Sequence, residues 1–267
     1  MKVKPLVKWA GGKGQLLPQM VPLFPRKFAL YLEPFVGGGA VFFHLLPEKA
    51  VLIDNNPELI NFYLVVRDNV EDLIIASSRH RNTREYYYFL RAQDPKKMDP
   101  VSRASRFLYL NKTAYNGLWR VNRQGKYNVP YGRYKNPKIV DAENLRAASR
   151  VLQRAEILLD DFSRVLSYAQ AGDFVYLDPP YHPVSDTACF TSYTSEAFTE
   201  EDQKRLAEVF RLLDRKNCLV MLSNSDTPFI RSLYSDYDIR VVQARRAINC
   251  RADRRGPVTE LIIRNYD

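Results

Sequence analysis

Short apolar runs closed by glycine, proline or acidic residues recur in the outer parts of the chain. Leu30 to Glu33, Val51 to Asp54, Ala155 to Leu159, Phe174 to Leu177, Leu219 to Ser223, Ile239 to Ala244 and Glu260 to Asn265 each read as a strand. Between them, apolar residues return at helical spacing. Leu16, Leu17, Met20 and Val21 form one stripe, and Val41 to Leu46 begin another. Leu59, Ile60, Phe62, Tyr63 and Val66 make a third within Pro57 to Asn69, with Asn55 or Asn56 as its cap. Glu143 to Leu152 is a further helix. Thr199, followed by Asp202, caps one whose buried stripe is Leu206, Val209, Phe210 and Leu213, and Asp226 and Thr227 precede a short one. Strands and helices alternating in this way predict an α/β fold, a Rossmann-like sheet with helices on both faces.

The middle of the chain breaks that rhythm. Val70 to Ala92 reads as two polar helices around Arg79 to Thr83, and Pro95 to Pro100 as a linking loop. From Val101 to Val140 there is no acidic residue, while Arg103, Arg106, Lys112, Arg120, Arg123, Lys126, Arg133, Lys135 and Lys138 alternate with Tyr109, Tyr115, Trp119, Tyr127, Tyr131 and Tyr134. Such a segment has the charge to follow a phosphate backbone and rings on which bases stack. Within it, Leu118 to Val121 and Lys126 to Pro130 read as arms of a hairpin turning at Arg123-Gln124-Gly125, a ribbon of the width a DNA major groove admits. The expected organisation is a sheet domain from residues 1–58 and 154–267, interrupted at 59–153 by a mostly helical DNA-binding insertion carrying a β-hairpin.

Composition supports a polyanionic partner. Lys and Arg number 40 against 30 Asp and Glu, a net charge of +10. Cys189, Cys218 and Cys250 are far apart with no CxxC pair, which argues against a disulfide framework or a structural zinc site and fits a reducing cytoplasm. His44, His80 and His182 would all have to converge to build a histidine metal site, so no metal is expected. The amino terminus lacks an apolar run followed by a small-residue cleavage site, and no stretch nears about 18 consecutive apolar residues, so neither export nor a membrane span is expected.

The sharpest chemical signal is Asp178-Pro179-Pro180-Tyr181, directly after the apolar run Phe174 to Leu177. Each proline pushes the residue before it out of the helical region, so the tetrapeptide leaves its strand extended. Open α/β sheets bind ligands at such carboxyl ends. The prolines bring no N–H, so carbonyl acceptors and the Asp178 carboxylate stand beside the Tyr181 ring, a tip suited to a planar N–H donor such as the exocyclic amino group of a nucleobase. His182 follows, and reads as a surface polar residue rather than a base. A second signal is the strand Leu30 to Glu33, the loop Phe35-Val36-Gly37-Gly38-Gly39-Ala40, a helix, and a strand ending at Asp54, the general plan of a nucleoside-cofactor site with Asp54 on the ribose hydroxyls. The loop lacks the third glycine of GxGxxG, which makes a dinucleotide less suitable. Trp9-Ala10-Gly11-Gly12-Lys13 places paired glycines and a lysine before a helix without P-loop spacing. Pro183 to Ser195 reads as a polar loop or lid, and Arg245, Arg246, Arg251, Arg254 and Arg255 as a second phosphate contact.

Taken in order, Trp9 to Lys13, Glu33-Pro34-Phe35-Val36-Gly37-Gly38-Gly39, Asn116-Gly117-Leu118 with Arg120, Tyr127 to Lys135 and Asp178 to Tyr181 resemble the Dam-type adenine-N6 DNA methyltransferases, above all their DpnM-like members. The similarity runs over nearly the whole chain. It implies a methyltransferase that uses S-adenosylmethionine and methylates the adenine of GATC in double-stranded DNA; no metal and a monomer are expected. By position it places Trp9, Lys13, Glu33, Phe35, Gly37, Asp54, Asp161, Phe162 and Asp178 at the cofactor, and Asp178, Pro179 and Tyr181 at the flipped adenine. Arg120, with Leu118 and Pro130, would read an outer guanine, Tyr115 would wedge into the stack, and Lys8 would touch the other outer guanine. Asn116, Asn122, Arg133, Tyr134 and Lys135 would complete the DNA contacts. An RNA or protein-amide methyltransferase with a similar tip, and a DNA-binding regulator that has lost activity, are the competing readings. A restriction-modification, phage or housekeeping role stays open.

Overall fold

The computed structural model describes residues 3–122, 124–184, 198–245 and 257–267. Seven strands form one sheet: β1 (Tyr31–Glu33), β2 (Ala50–Asp54), β3 (Ala155–Leu159), β4 (Phe174–Leu177), β5 (Leu219–Ser225), β6 (Asp238–Arg245) and β7 (Pro257–Arg264). Their order is β3-β2-β1-β4-β5-β7-β6. The first five are mutually parallel, and β7 runs antiparallel between β5 and β6. Side chains of β4 and its neighbours are buried on both faces, as central parallel strands require. Tyr31, Leu52, Phe174, Tyr176, Met221 and Ile262 enter one core cluster, while Leu32, Val51, Ile53, Val175, Leu177, Val220, Leu222, Leu261 and Ile263 enter the other. The chain leaves β1 toward β2 on one side and later returns to β4 on the other. The gap between the carboxyl ends of β1 and β4 is therefore the switch point at which such sheets take ligands.

Helices cover both faces. Leu206, Val209, Phe210 and Leu213 of α8 (Glu200–Arg215) close the second cluster, with the short α9 (Pro228–Leu233) beside it. On the first face lie α1 (Leu17–Met20), α2 (Ala40–Leu45), α3 (Pro57–Asp68) and α7 (Ala142–Leu152), with α4 (Val70–Ser78), α5 (Arg84–Ala92) and α6 (Pro100–Thr113) continuing the same core. Asn56 is the cap of α3, its side chain accepting the N–H groups of Glu58 and Leu59 at 3.0 and 3.1 Å. Thr199 and Asp202 form a reciprocal capping box on α8.

Three expectations are corrected. The stripe from Leu16 to Val21 is not one helix, because Pro18 and Pro22 each begin a new short turn, and α1 spans only four residues between 3-10 turns. The acid-free segment opens with α6, capped by Asp99, and from Ala104 to Asn111 every residue of this helix is buried. Its charges serve the fold: Arg106 donates to the carbonyls of Leu90 and Arg91, both at 2.9 Å, and Arg103 pairs with Glu58 at 2.6 Å. Three of the rings assigned to stacking are core. Trp119 lies 4.4 Å from Phe107 and 4.6 Å from Tyr127 between ring centroids, and Tyr109 is fully buried. Finally, the hairpin is a minimal one rather than an extended ribbon: its arms pair through a single antiparallel bridge, Val121 with Tyr127, and the Asn122 and Asn128 N–H groups donate across it to the Lys126 and Arg120 carbonyls at 2.9 and 3.1 Å, while Ala114 bridges Tyr131. Most of the 183–195 loop and the arginines from 246 onward lie outside the described residues, as does the Arg245 side chain.

Candidate active site

The carboxyl end of β4 delivers Asp178 to the switch point, where two groups bond it directly and a third backs one of them. Lys13 Nζ approaches Asp178 Oδ1 at 2.6 Å, and both side chains are largely buried. Ser223 Oγ, at the matching end of β5, donates to the same oxygen at 2.8 Å, and Tyr176 OH lies 2.9 Å behind Ser223 Oγ. Lys13 is also anchored by the Gly11 carbonyl at 2.6 Å, and its ammonium lies 4.8 Å from the centroid of the Tyr181 ring. Lys13 is thus bonded to the Asp178 carboxylate itself. The Tyr181 hydroxyl donates to Glu260 Oε2 at 2.7 Å. Burial, then the charges of Asp178 and Glu260, raises the Tyr181 phenol well above its ordinary value and keeps it a donor.

The turn after Asp178 is braced from α8 and β5. Pro179 is buried. Gln203 Nε2 donates to the Pro180 carbonyl at 2.8 Å and is itself held by Asn224 Nδ2 at 3.0 Å, so one of the expected free acceptors is already engaged. The His182 N–H donates to Asn224 Oδ1 at 3.0 Å, and Ser225 Oγ donates to the His182 carbonyl. His182 is not a solvated surface residue. Its ring nitrogens face Thr227 Oγ1 at 3.1 Å and Glu200 Oε1 at 3.2 Å, and it packs 4.7 Å from Phe229. The imidazole is a strut for the turn.

Across the switch point, the loop after β1 builds a second cradle. Gly37, at φ 45°, has Trp9 against it so closely that a Cβ there would lie 2.8 Å from Trp9 Cδ1. Its N–H donates to Asp54 Oδ2 at 3.0 Å, and the Asn56 N–H donates to Oδ1 at 2.9 Å. Burial pushes Asp54 up to about 6 against these donors. Phe35 and Phe162 stack at 5.2 Å, with Phe198 edge-on to Phe35 at 5.9 Å. Asp161 begins the turn that carries Phe162, and Arg205 holds both its oxygens, at 2.9 and 3.0 Å, while lying 4.2 Å over Phe162. Burial opposes ionisation of Asp161, but the Arg205 and Ser163 hydrogen bonds outweigh it and hold this carboxyl below its usual range. Glu33 sits beneath the floor, bonded by Tyr31 OH at 2.9 Å. Burial, opposed by that bond and reinforced by Asp178, raises its carboxyl well above the ordinary range. A carboxylate at a strand end, a glycine loop and a pair of aromatic plates fit a nucleoside cofactor.

The residues expected to meet DNA lie mostly on the loops after α6. Asn116 and Gly117 turn through left-handed conformations, φ 54° and 65°, and a Cβ on Gly117 would fall 2.3 Å from Lys8 Cδ. Lys8 is exposed, its N–H held by Asn111 Oδ1 at 2.9 Å and its ammonium 5.1 Å from the Tyr134 ring centroid. Tyr115 is 53% exposed, and its N–H donates to the Pro130 carbonyl at 2.9 Å. Lys8, Tyr115, Asn116, Pro130 and Tyr134 therefore come together, with Leu118 half-buried at their edge. Arg120, Arg133 and Lys135 are exposed, and Arg120 Nε donates to Asn128 Oδ1 at 2.8 Å. Asn122 is committed to its own turn, accepting the N–H groups of Gln124 and Lys126 at 3.0 Å.

Ser223, Gln203, Asn224, Glu260 and Arg205 escaped the sequence reading. The one visible signal was Ser223-Asn224-Ser225, a polar triplet ending an otherwise apolar strand. Among the described residues no cluster of His, Cys, Asp or Glu is arranged to hold a metal, and no helix is long and apolar enough to cross a membrane.

Comparison with known proteins identifies the family. Residues 9–248 match the model of the D12 class N6 adenine-specific DNA methyltransferases. The chain is 47% identical to the type II methyltransferase M1.LlaDCHI of Lactococcus lactis subsp. cremoris over all of its own length and 96% of that protein. It is 45% identical to M.MjaIII of Methanocaldococcus jannaschii with both chains fully covered, and 38% identical to the DNA adenine methylase of Escherichia coli strain K12 over 98% and 95% of the two chains. The chain belongs to the D12 class of N6 adenine-specific DNA methyltransferases.

Proposed function

We propose that this methyltransferase acts on the adenine of GATC in duplex DNA, that Asp178, Pro179 and Tyr181 receive the extruded base, and that residues 59–153 are its target-recognition unit. One observation carries the reading of the site. The Lys13 ammonium donates to Asp178 while lying over the Tyr181 ring. A planar amine entering between the same carboxylate and the same ring would make both contacts.

The family depends on S-adenosylmethionine, which when bound supplies an electrophilic methyl group. Asp54, the Gly37 loop, Phe35 and Phe162 would hold its nucleoside half. The rest falls to this chain's residues. Adenine must leave the helix, since N6 is unreachable within it. Lys13 withdraws from Asp178 Oδ1, and Asp178 accepts an N6 hydrogen, which favours charge on that nitrogen as it attacks. Tyr181 stacks on the base and fixes its plane. No covalent enzyme nucleophile is needed, and the proton that N6 loses passes to water. Arg120, Leu118, Pro130, Tyr115 and Lys8 would select the site, with Arg133, Tyr134 and Lys135 on the flanking backbone. The higher identity to two type II methyltransferases than to the E. coli adenine methylase favours a modification role.

The test is transfer of labelled methyl groups to duplexes with and without GATC and to RNA, followed by digestion with methylation-sensitive nucleases. Only the GATC duplex should be labelled and protected. Equal labelling of the GATC-free duplex or of RNA would defeat the substrate assignment, and DNA binding without transfer would favour the inactive regulator.

A further inference from the structure

Tyr181 is tied at its far end to a strand of opposite direction. Because β7 runs antiparallel, its early residues lie at the carboxyl ends of the parallel strands, and Glu260 stands opposite Ser225, the last residue of β5. From there Glu260 Oε2 takes the Tyr181 hydroxyl at 2.7 Å. A tyrosine fixed only at Cβ rocks about two side-chain torsions, whereas a hydrogen bond to a charged acceptor at the hydroxyl holds the ring plane. The face so held is the one over which the Lys13 ammonium lies, and that ammonium is bonded to Asp178. The phenol stays protonated, raised by burial and by the two carboxylates, so the tether persists through neutral pH.

We propose that Glu260 is a positioning residue: through the Tyr181 hydroxyl it sets the plane of the ring against which the extruded adenine stacks. The inference rests on the reading of Asp178 and Tyr181 as the base site. Its test is a double-mutant cycle on single-turnover methylation, with 2-aminopurine in place of the target adenine as a separate report of stacking. Glu260→Ala should slow transfer about tenfold, the scale of a lost hydrogen bond to a charged group, and Glu260→Gln should recover part of that loss. In a Tyr181→Phe background, which has no hydroxyl to tether, Glu260→Ala should change the rate by less than about twofold. The 2-aminopurine emission, quenched by stacking in the native enzyme, should brighten in Glu260→Ala. If Glu260→Ala fails to fold, Glu260→Gln runs the same cycle. Equal losses in both backgrounds, or an unchanged rate, would overturn the tether. Failure of the native enzyme to methylate any DNA would instead overturn the reading on which it rests.

Discussion

The tip of β4 and the loops from Ala114 to Lys135 are built on opposite terms. At the tip, Asp178, Pro180, Tyr181 and His182 are each bonded to a residue from a distant element: Lys13, Gln203, Glu260, Asn224. The loops are anchored by Trp119, Tyr127 and Val129 in the core, while Tyr115, Arg120, Pro130 and Arg133 stand exposed between isolated bridges. Catalysis by positioning needs an acceptor that does not move as charge develops. Reading a duplex needs side chains that settle against a surface arriving from solution, and loops on a rigid scaffold provide them. Under the proposed function, the two demands fall on different elements of one chain.

The largest expected effect strikes the rigid region. Asp178→Ala should cut methyl transfer by at least about 10²–10³-fold while DNA affinity, measured by gel shift, stays near native. Parallel loss of both would mean that the tip also serves recognition, and the contrast would fail. The next effect reads the cost of a buried carboxylate on the same sheet. The Asp54 pKa is about 6 in the folded chain, above its unfolded value, so its stabilising contribution is full below about pH 4 and is lost as pH rises through about 6, by at most about 3 kcal/mol. Urea midpoints of the native protein and Asp54→Asn, compared across that window, should diverge with this sign; a constant difference would show that Asp54 does not titrate there. The smallest effect belongs to the loops. Arg120→Ala should lose about 1–3 kcal/mol of discrimination at one base pair, with an unchanged melting temperature. A drop in melting temperature would place Arg120 in the fold rather than at its edge.

The strands were legible because a sheet buried on both faces demands apolar runs, and Phe174 to Leu177 could be little else. Caps were legible too, since Asn56, Thr199 and Asp202 bond within a few residues of themselves. The acid-free segment misled because Arg103, Arg106, Trp119 and Tyr127 have the composition of a nucleic-acid surface but brace helices or fill the core that these helices share with the sheet. Whether an arginine meets a phosphate or a helix carbonyl depends on what folds over it. The braces of the tip were illegible for a related reason. Ser223, Gln203 and Glu260 reach Asp178, Pro180 and Tyr181 across strand and helix boundaries, and no local pattern records such a pairing.

The contact between Lys13 and Asp178 makes this pocket a competitive one. An amine that drifts in alone must displace a buried ammonium from a carboxylate with only its own few contacts to offset that loss. A base delivered by a duplex arrives with the whole protein–DNA interface behind it. With the base site proposed at Asp178, the enzyme would select by what accompanies its substrate as well as by shape. Free deoxyadenosine should accordingly remain unmethylated at concentrations where duplex DNA is turned over, and comparable labelling of the two would remove the lysine from that role.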